Sequence, residues 1–338
     1  MGQNVAGNQK ISAGGDGTHA RSLPLWYNGK KEDAMKKETA VRRKKVFPEA
    51  EGRQALEEIL ARSRRVVFFG GAGVSTASGI PDFRSAEGLY RQTGPDPEMI
   101  LSKSYFYLDP AGFFDYYRRH LLYPRARPNA AHRRLWQLEQ EDKLRGIVTQ
   151  NIDGLHRLAG NRRVYEIHGT VHDNRCMDCG AFFPMETVLN SRGIPRCRCG
   201  GVIKPSVVLY GEGLDPYVCI GAKREISQAD TLIVAGTSLS VEPAASFLEG
   251  FEGKNLVVIN REKTPADRRA TLVIRGGVEK VLTDETEQEE TTMDPKREQQ
   301  EQEWADRIDE DSEETETEKT YRDGSLANEC WAQDRENV

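Results

Sequence analysis

Six short apolar runs recur along the 338-residue chain, at residues 65–69, 146–149, 207–210, 231–235, 256–259 and 272–274. Each ends in a polar or Gly-rich stretch, and helical patterns separate most of them, as at residues 129–141 and 217–228. A run apolar at successive positions suits a strand covered on both faces, and alternation with helices implies α/β architecture, a parallel sheet with helices on both faces. Ligands of such sheets lie beyond the carboxyl ends of the strands. The residues after each run are therefore the candidates for chemistry. A further helix is expected from Pro48 to about Ser63, because Ala55, Leu56, Ile59 and Leu60 form one stripe and Glu49 and Glu51 favour its positive end.

Two stretches interrupt this rhythm. Residues 85–128 are rich in aromatics and short helical patterns, and residues 175–201 hold four of the six cysteines. Both read as insertions that build a second, smaller module. The ends differ from the middle in charge. Residues 283–338 carry 21 acidic and 6 basic side chains, and residues 1–48 carry 4 acidic and 10 basic, which leaves the middle at +4 of a total of −5. The organisation expected is a disordered basic head over 1–47, a folded domain over 48–282 and a disordered, solvated acidic tail over 283–338. No run of 18 apolar residues exists, so no membrane span is expected, and no secretory h-region is visible. Six cysteines are too sparse for a disulfide scaffold. A cytoplasmic protein is expected.

The first run enters Gly70-Gly71-Ala72-Gly73-Val74-Ser75-Thr76-Ala77-Ser78-Gly79. Such a turn lets backbone N–H groups approach a pyrophosphate. Read as G-x-G-x-x-G from Gly71 it lacks the third glycine, where Thr76 stands, so by itself it fits a dinucleotide cradle or a plain tight turn. Amides, hydroxyls and an acid follow other runs: Gln150-Asn151-Ile152-Asp153, Gly236-Thr237-Ser238 and Asn260-Arg261. That convergence suits the riboses and amide of a nicotinamide dinucleotide. Cys176 and Cys179 are followed after 17 residues by Cys197 and Cys199, a C-x2-C and C-x-C pairing. Four thiolates fit one closed, structural zinc site. Arg175, Arg196 and Arg198 are placed to offset its charge, whereas Cys219 and Cys330 have no partner in the pattern.

Gly71-Ala72-Gly73-Val74-Ser75 with Gly79-Ile80-Pro81-Asp82-Phe83-Arg84, then Thr149-Gln150-Asn151-Ile152-Asp153-Gly154-Leu155-His156, then His168-Gly169, then Gly236-Thr237-Ser238 resemble the sirtuins, NAD-dependent protein-lysine deacylases. The likeness spans about residues 50–282, includes the four cysteines, and reaches neither tail. It implies a Rossmann-like core with a helical insertion (about 85–128) and a zinc ribbon (about 172–203). It further implies NAD as co-substrate and one structural zinc. His168 becomes the general base, with Asn151 and Asp153 beside it. The nicotinamide pocket falls to Phe83, Asn151, Ile152 and Asp153, with Ala72, Thr76, Arg84 and Gln150 on the same side of NAD. Thr237, Ser238, Asn260 and Val278 fall on the adenosine side. His120, His132, His156 and His172 take structural readings. Ser206 departs from the Asp usual in that family.

The activity implied is removal of acetyl from lysine, with an acetyl-lysine protein bound as an extended strand along residues 207–214. Protein mono-ADP-ribosylation, removal of other acyl groups, and a non-enzymatic NAD-sensing or nucleic-acid-binding adaptor are the competing readings. The cysteine module lacks the interleaved aromatics of a base-stacking surface, so direct nucleic-acid binding is not expected. Desuccinylases of the family carry Y-x-x-R on the helix after Asp109-Pro110. In that register this chain has Tyr117 and His120, and the pattern itself occurs one residue earlier, as Tyr116 and Arg119. Preference for uncharged acyl groups is expected.

Overall fold

The computed structural model describes residues 45–83, 88, 96–239 and 244–283. The expected disorder of the head up to residue 44 and of the tail from residue 284 lies outside the described residues, as does Arg84. Lys45–Pro48 (β1) runs straight into Glu49–Arg62 (α1), followed by Val66–Gly70 (β2). The head expectation thus overshoots by three residues. Phe47 packs on the core, and an isolated apolar pair has no period to reveal it.

The helical insertion comprises Pro97–Ile100 (α2), Lys103–Leu108 (α3) and Pro110–His120 (α4). Asp109 caps the last of these by accepting from the Gly112 N–H. Ala130–Gln140 (α5), Leu144–Thr149 (β3), Leu155–Leu158 (α6) and Val164–Glu166 (β4) return the chain to the core. The second insertion follows as Gly169–Cys176 (β5), Phe182–Phe183 (β6), Met185–Asn190 (α7) and Ile203–Val207 (β7). Pro216–Gln228 (α8), Thr231–Ala235 (β8), Asn255–Ile259 (β9), Leu272–Arg275 (β10) and Val278–Val281 (α9) complete the order.

Among the described residues the main sheet has seven strands in the order β1-β10-β9-β8-β2-β3-β4. Its pairs β10/β9, β9/β8, β8/β2, β2/β3 and β3/β4 are parallel. Strand order turns over between β2 and β8, which is where a doubly wound sheet opens its ligand crevice. Alternate residues of each strand feed two cores. Val66 and Phe68 of β2 meet Leu56 of α1 and Leu135 of α5 on one face. Val67 and Phe69 meet Ala222 and Ile226 of α8 on the other. Helices on both faces follow from this alternation, as the uniformly apolar runs required.

One apolar run belongs elsewhere. Residues 207–210 are not a strand of the main sheet; Ile203–Val207 pairs antiparallel with Gly169–Cys176 in a separate three-stranded sheet, β6-β5-β7. Its inward residues Ile203 and Val207 face a third core with Phe106, Phe113, Phe114 and Tyr117. An apolar run carries no mark of which core it serves, and here the partner strand decided. The two insertions therefore share one hydrophobic core.

Leu135 is fully buried between α5 and the sheet. Leu135→Ala should cost about 2–5 kcal/mol, the range for deleting a buried leucine side chain. Gln140→Ala, at an exposed position on the same helix, should stay within about 0.5 kcal/mol. Urea unfolding of both variants checks this.

Candidate active site

The crevice at the strand-order reversal is a cleft of about 720 Å³ that runs from the ends of β2, β3 and β8 to the small module. Of the residues expected at the site, Ala72, Thr76, Phe83, Gln150, Asn151, Ile152, Asp153, His168, Thr237, Ser238, Asn260 and Val278 all line it. The volume lies within the range of small-molecule and cofactor sites. The fold brings the expected set together from six separate stretches of chain.

The Gly-rich loop is pinned from below. Gly73 donates its N–H to the Gly236 carbonyl at 2.9 Å, and Gly71 donates to Ala235 at 3.1 Å. Gly236 has φ +60°, and a Cβ there would sit 2.6 Å from the Val74 nitrogen. Only glycine meets both conditions. Three residues on, Leu239 also has φ +55°, a form that costs an L-residue roughly 1–2 kcal/mol. Its N–H donates to Thr237 Oγ1 at 3.2 Å, and that oxygen also accepts from Gln150 Nε2 at 3.0 Å. Residues expected on the two halves of a dinucleotide are thus tied to each other.

Asp153 is half-buried beside the loop. Its Oδ2 accepts from Ser75 Oγ at 2.6 Å and its Oδ1 from the Leu155 N–H at 2.9 Å. Asn151 Nδ2 donates to the same Ser75 hydroxyl at 3.1 Å. Burial raises the Asp153 carboxyl above its ordinary pKa, and these donors only partly offset the shift. Ser75, which is only 1 % exposed, is therefore a site residue that sequence reasoning quoted within a motif but did not select. Its signal was weak, because a serine in a turn is ordinary.

His168 follows β4, and its Nδ1 lies 2.9 Å from the Gln150 carbonyl. A carbonyl only accepts, so Nδ1 carries the proton and Nε2 is the unprotonated nitrogen of the neutral ring. Burial lowers the pKa of His168, and the bond to Gln150 opposes the shift. The other histidines divide. His132 and His156 are buried, with ring centroids 4.7 Å apart, and burial takes His156 down to about 3. Those two fit the structural reading. His172 and His120 line the cleft. His172 Nε2 donates to the Asp153 carbonyl at 3.1 Å and covers Gly154, where a Cβ would meet the ring at 2.6 Å.

Helix α4 separates the residues of interest. Tyr117 is fully buried and stacks on Phe113 at 5.6 Å between centroids, whereas Tyr116 stacks on His120 at 4.4 Å. The register pairing Tyr117 with His120 thus holds one core residue and one cleft residue. Arg119 is exposed and paired with Asp115 at 2.7 Å, and Arg118 is tied to the Val188 carbonyl and the Ser191 hydroxyl. Neither arginine lines the cleft.

The cysteines converge as expected. The four Sγ atoms of Cys176, Cys179, Cys197 and Cys199 lie within 4.8 Å of one another. Cys176–Cys199 is 3.4 Å and Cys179–Cys197 is 3.6 Å. A tetrahedral zinc with bonds of about 2.3 Å sets its sulfurs about 3.8 Å apart, and a disulfide needs about 2.05 Å. The residues present therefore fit one structural zinc, with no open coordination position. Two of the three arginines expected to balance its charge have other partners: Arg175 pairs with Asp173 at 3.2 Å, and Arg196 donates to the Gly200 carbonyl at 2.9 Å.

A doubly wound sheet with a pinned Gly-rich loop at its switch point, stapled to a four-cysteine module, defines a class of dinucleotide-binding α/β proteins. The chain belongs within it to the Sir2 family, whose sequence model matches residues 71–243. It is 52% identical over 232 residues to a protein of Clostridium perfringens named NAD-dependent protein deacetylase, covering 67% of this chain and 95% of that one. A Cutibacterium acnes protein of the same name is 52% identical over 233 residues, covering 68% and 96%. Among solved structures, a Sir2 homologue–NAD complex is similar at 36% identity and TM-score 0.61, covering 68% of this chain and 90% of that one. A complex of Sir2, a p53 peptide and NAD+ is similar at 34% identity and TM-score 0.60, covering 68% and 95%.

Because the four sulfurs close the base of the small module, metal removal should act on stability first. A strong chelator, or Cys176→Ser, should lower the thermal midpoint and release about one zinc per chain, the count for a single closed four-ligand site. Elemental analysis and a melting curve on the same sample check both.

Proposed function

We propose that the protein is an NAD-dependent protein-lysine deacetylase. It transfers acetyl from lysine to ADP-ribose, with release of nicotinamide and O-acetyl-ADP-ribose. The observation that carries the reading is the tautomer of His168, fixed by the Gln150 carbonyl within a cleft that also holds Asn151 and Asp153. NAD, when bound, supplies the electrophilic ribose carbon, the leaving group and the hydroxyl that receives the acetyl group. His168 takes a proton at Nε2 as general base. Asp153, held by Ser75 and the Leu155 N–H, presents the nicotinamide pocket together with Asn151, Ile152 and Phe83. Ala72, Thr76, Gln150 and Arg84 take that same half of NAD, and Thr237, Ser238, Asn260 and Val278 the adenosine half. Arg84 enters on the motif alone.

The acetyl-lysine protein binds as an extended strand along residues 207–214. Support comes from the bracing of that stretch: Glu212 Oε2 accepts from the Leu209 N–H at 3.0 Å and from Lys204 Nζ at 3.2 Å. Such pairing reads backbone more than side chains. The working unit is residues 45–282, since Lys45–Pro48 is an edge strand of the main sheet. Among the described residues no helix is long and apolar enough to cross a membrane. The location proposed is cytoplasmic, supported by four closely set thiols that a reducing compartment keeps free of disulfides.

Mass spectrometry of acyl-lysine peptides incubated with the protein and NAD tests the activity. Loss of acetyl with one O-acetyl-ADP-ribose per turnover is expected. Gain of ADP-ribose on the peptide would favour mono-ADP-ribosyl transfer instead, and no release of nicotinamide would overturn the enzymatic reading.

His168→Ala should cut turnover by about 10²–10⁴, the usual contribution of a general base, while the variant still binds ADP-ribose. The pH profile carries the sign of the histidine's shift. A base must be neutral, and burial lowers its pKa, so activity should rise through a value below 6.5 and stay level above it. Rates from pH 5 to 8 check this.

With neither Arg118 nor Arg119 in the cleft, a distal carboxylate would lose water without gaining a guanidinium partner from α4. Acetyl-lysine should turn over about ten-fold or more faster than succinyl-lysine on the same peptide. Matched single-peptide rates check this.

A further inference from the structure

The Gly-rich loop is held from a third side, by a residue with no place in the chemistry above. Asn129 is the N-cap of α5. Its Oδ1 accepts from the Ala131 N–H at 3.0 Å, and its backbone N–H donates to His132 Nδ1 at 3.2 Å. Burial keeps the His132 pKa well below its ordinary value, so the ring stays neutral and its nitrogen can accept. These bonds occupy the oxygen of the Asn129 amide and point its nitrogen outward. Nδ2 donates to the Val74 carbonyl at 2.8 Å and to Ser78 Oγ at 2.9 Å. An amide flip would set an oxygen against a carbonyl, so the orientation is determined.

Val74 and Ser78 flank Ser75 and Thr76, both of which line the cleft. The far side of the loop rests on Gly236. An asparagine 51 residues from Ser78 thus bridges the start of a core helix to the cradle. An N-cap requires only an acceptor oxygen, and serine, threonine or aspartate would serve. The nitrogen adds nothing to the cap.

Resting on the reading of the cleft as an NAD site, we propose that Asn129 is a positioning residue for NAD. Its amide nitrogen holds the Val74–Ser78 turn in the form that receives the dinucleotide, independently of its role as helix cap.

The two roles separate by substitution. Asn129→Asp keeps the cap oxygen, and its charge suits a helix N-terminus, but it turns an acceptor toward the Val74 carbonyl. Asn129→Ser keeps a cap hydroxyl and is too short to reach the loop. Full-length protein and both variants are compared by thermal midpoint, by calorimetric binding of ADP-ribose and by steady-state kinetics with an acetyl-lysine peptide. Expected are unchanged zinc content, a melting point lowered by less than in Asn129→Ala, which also loses the cap, ADP-ribose Kd and KM for NAD raised about ten-fold as the turn loses its two hydrogen bonds, and kcat at saturating NAD within about three-fold of the unaltered protein, since uniform binding is what is removed. Asn129→Ala should show the same loss of affinity together with a lower melting point. Unaltered affinity in both Asn129→Asp and Asn129→Ser would overturn the positioning role, as would a loss of kcat and melting temperature with KM unchanged. Failure of the unaltered protein to bind ADP-ribose would instead overturn the NAD reading, and the inference with it.

Discussion

Two backbones touch at the switch point of the sheet, and the site depends on that contact. The loop after β2 and the turn after β8 approach so closely that Gly73 and Gly236 exchange a hydrogen bond, and a Cβ on Gly73 would lie 2.8 Å from the Gly236 Cα. Side chains are excluded, so the loop presents backbone to the cleft. The same closeness lets Thr237 reach Gln150 across β2. A methyl group on either glycine would push the two turns apart, and Gln150 to Asp153 after β3 and Gly236 to Ser238 after β8 line the cleft on either side of them.

Charge is handled by burial rather than by surface pairs. Asp153 and His168 both sit where water is scarce, and the shifts have opposite consequences. Burial disfavours the carboxylate and also disfavours the imidazolium. Ser75 and the Leu155 N–H hold the first group, and the Gln150 carbonyl orients the second. The Asp153 carboxylate and the His168 Nδ1 each have a defined partner, which fixes their geometry. The salt bridges of the surface, such as Arg119–Asp115, contribute little by comparison.

The small module is a different physical object from the sheet it leans on. Its core is aromatic, with Phe106, Phe113 and Phe114 in edge-to-face contact at 5.0–5.9 Å. Helices from one insertion and strands from another supply it, and neither segment has enough apolar surface alone. The four sulfurs lie within 4.8 Å of one another beside this core, and Leu101, Val207 and Leu209 of the same core also line the cleft wall.

Much of this was legible in the chain. Continuous apolar runs announced a sheet buried on both faces, because no half-exposed strand reads that way. The C-x2-C and C-x-C spacing announced a metal site, because four thiolates so close have one common use. The residues after the runs include Thr76, Gln150, Asn151, Asp153, Thr237 and Asn260, all of which line the cleft. What stayed hidden needed three dimensions. Residues 207–210 look like any other strand, but only Val207 ends a strand, Ile203–Val207, which pairs antiparallel with Gly169–Cys176 in the second sheet. Ser75, His172 and Asn129 look like turn, surface and cap residues. Their roles come from partners 51 to 78 positions away or from a close approach to Gly154. Local periodicity reports which face of an element is apolar. Which elements share a core, and which polar atoms meet across it, is settled only when loop closure brings distant segments into contact.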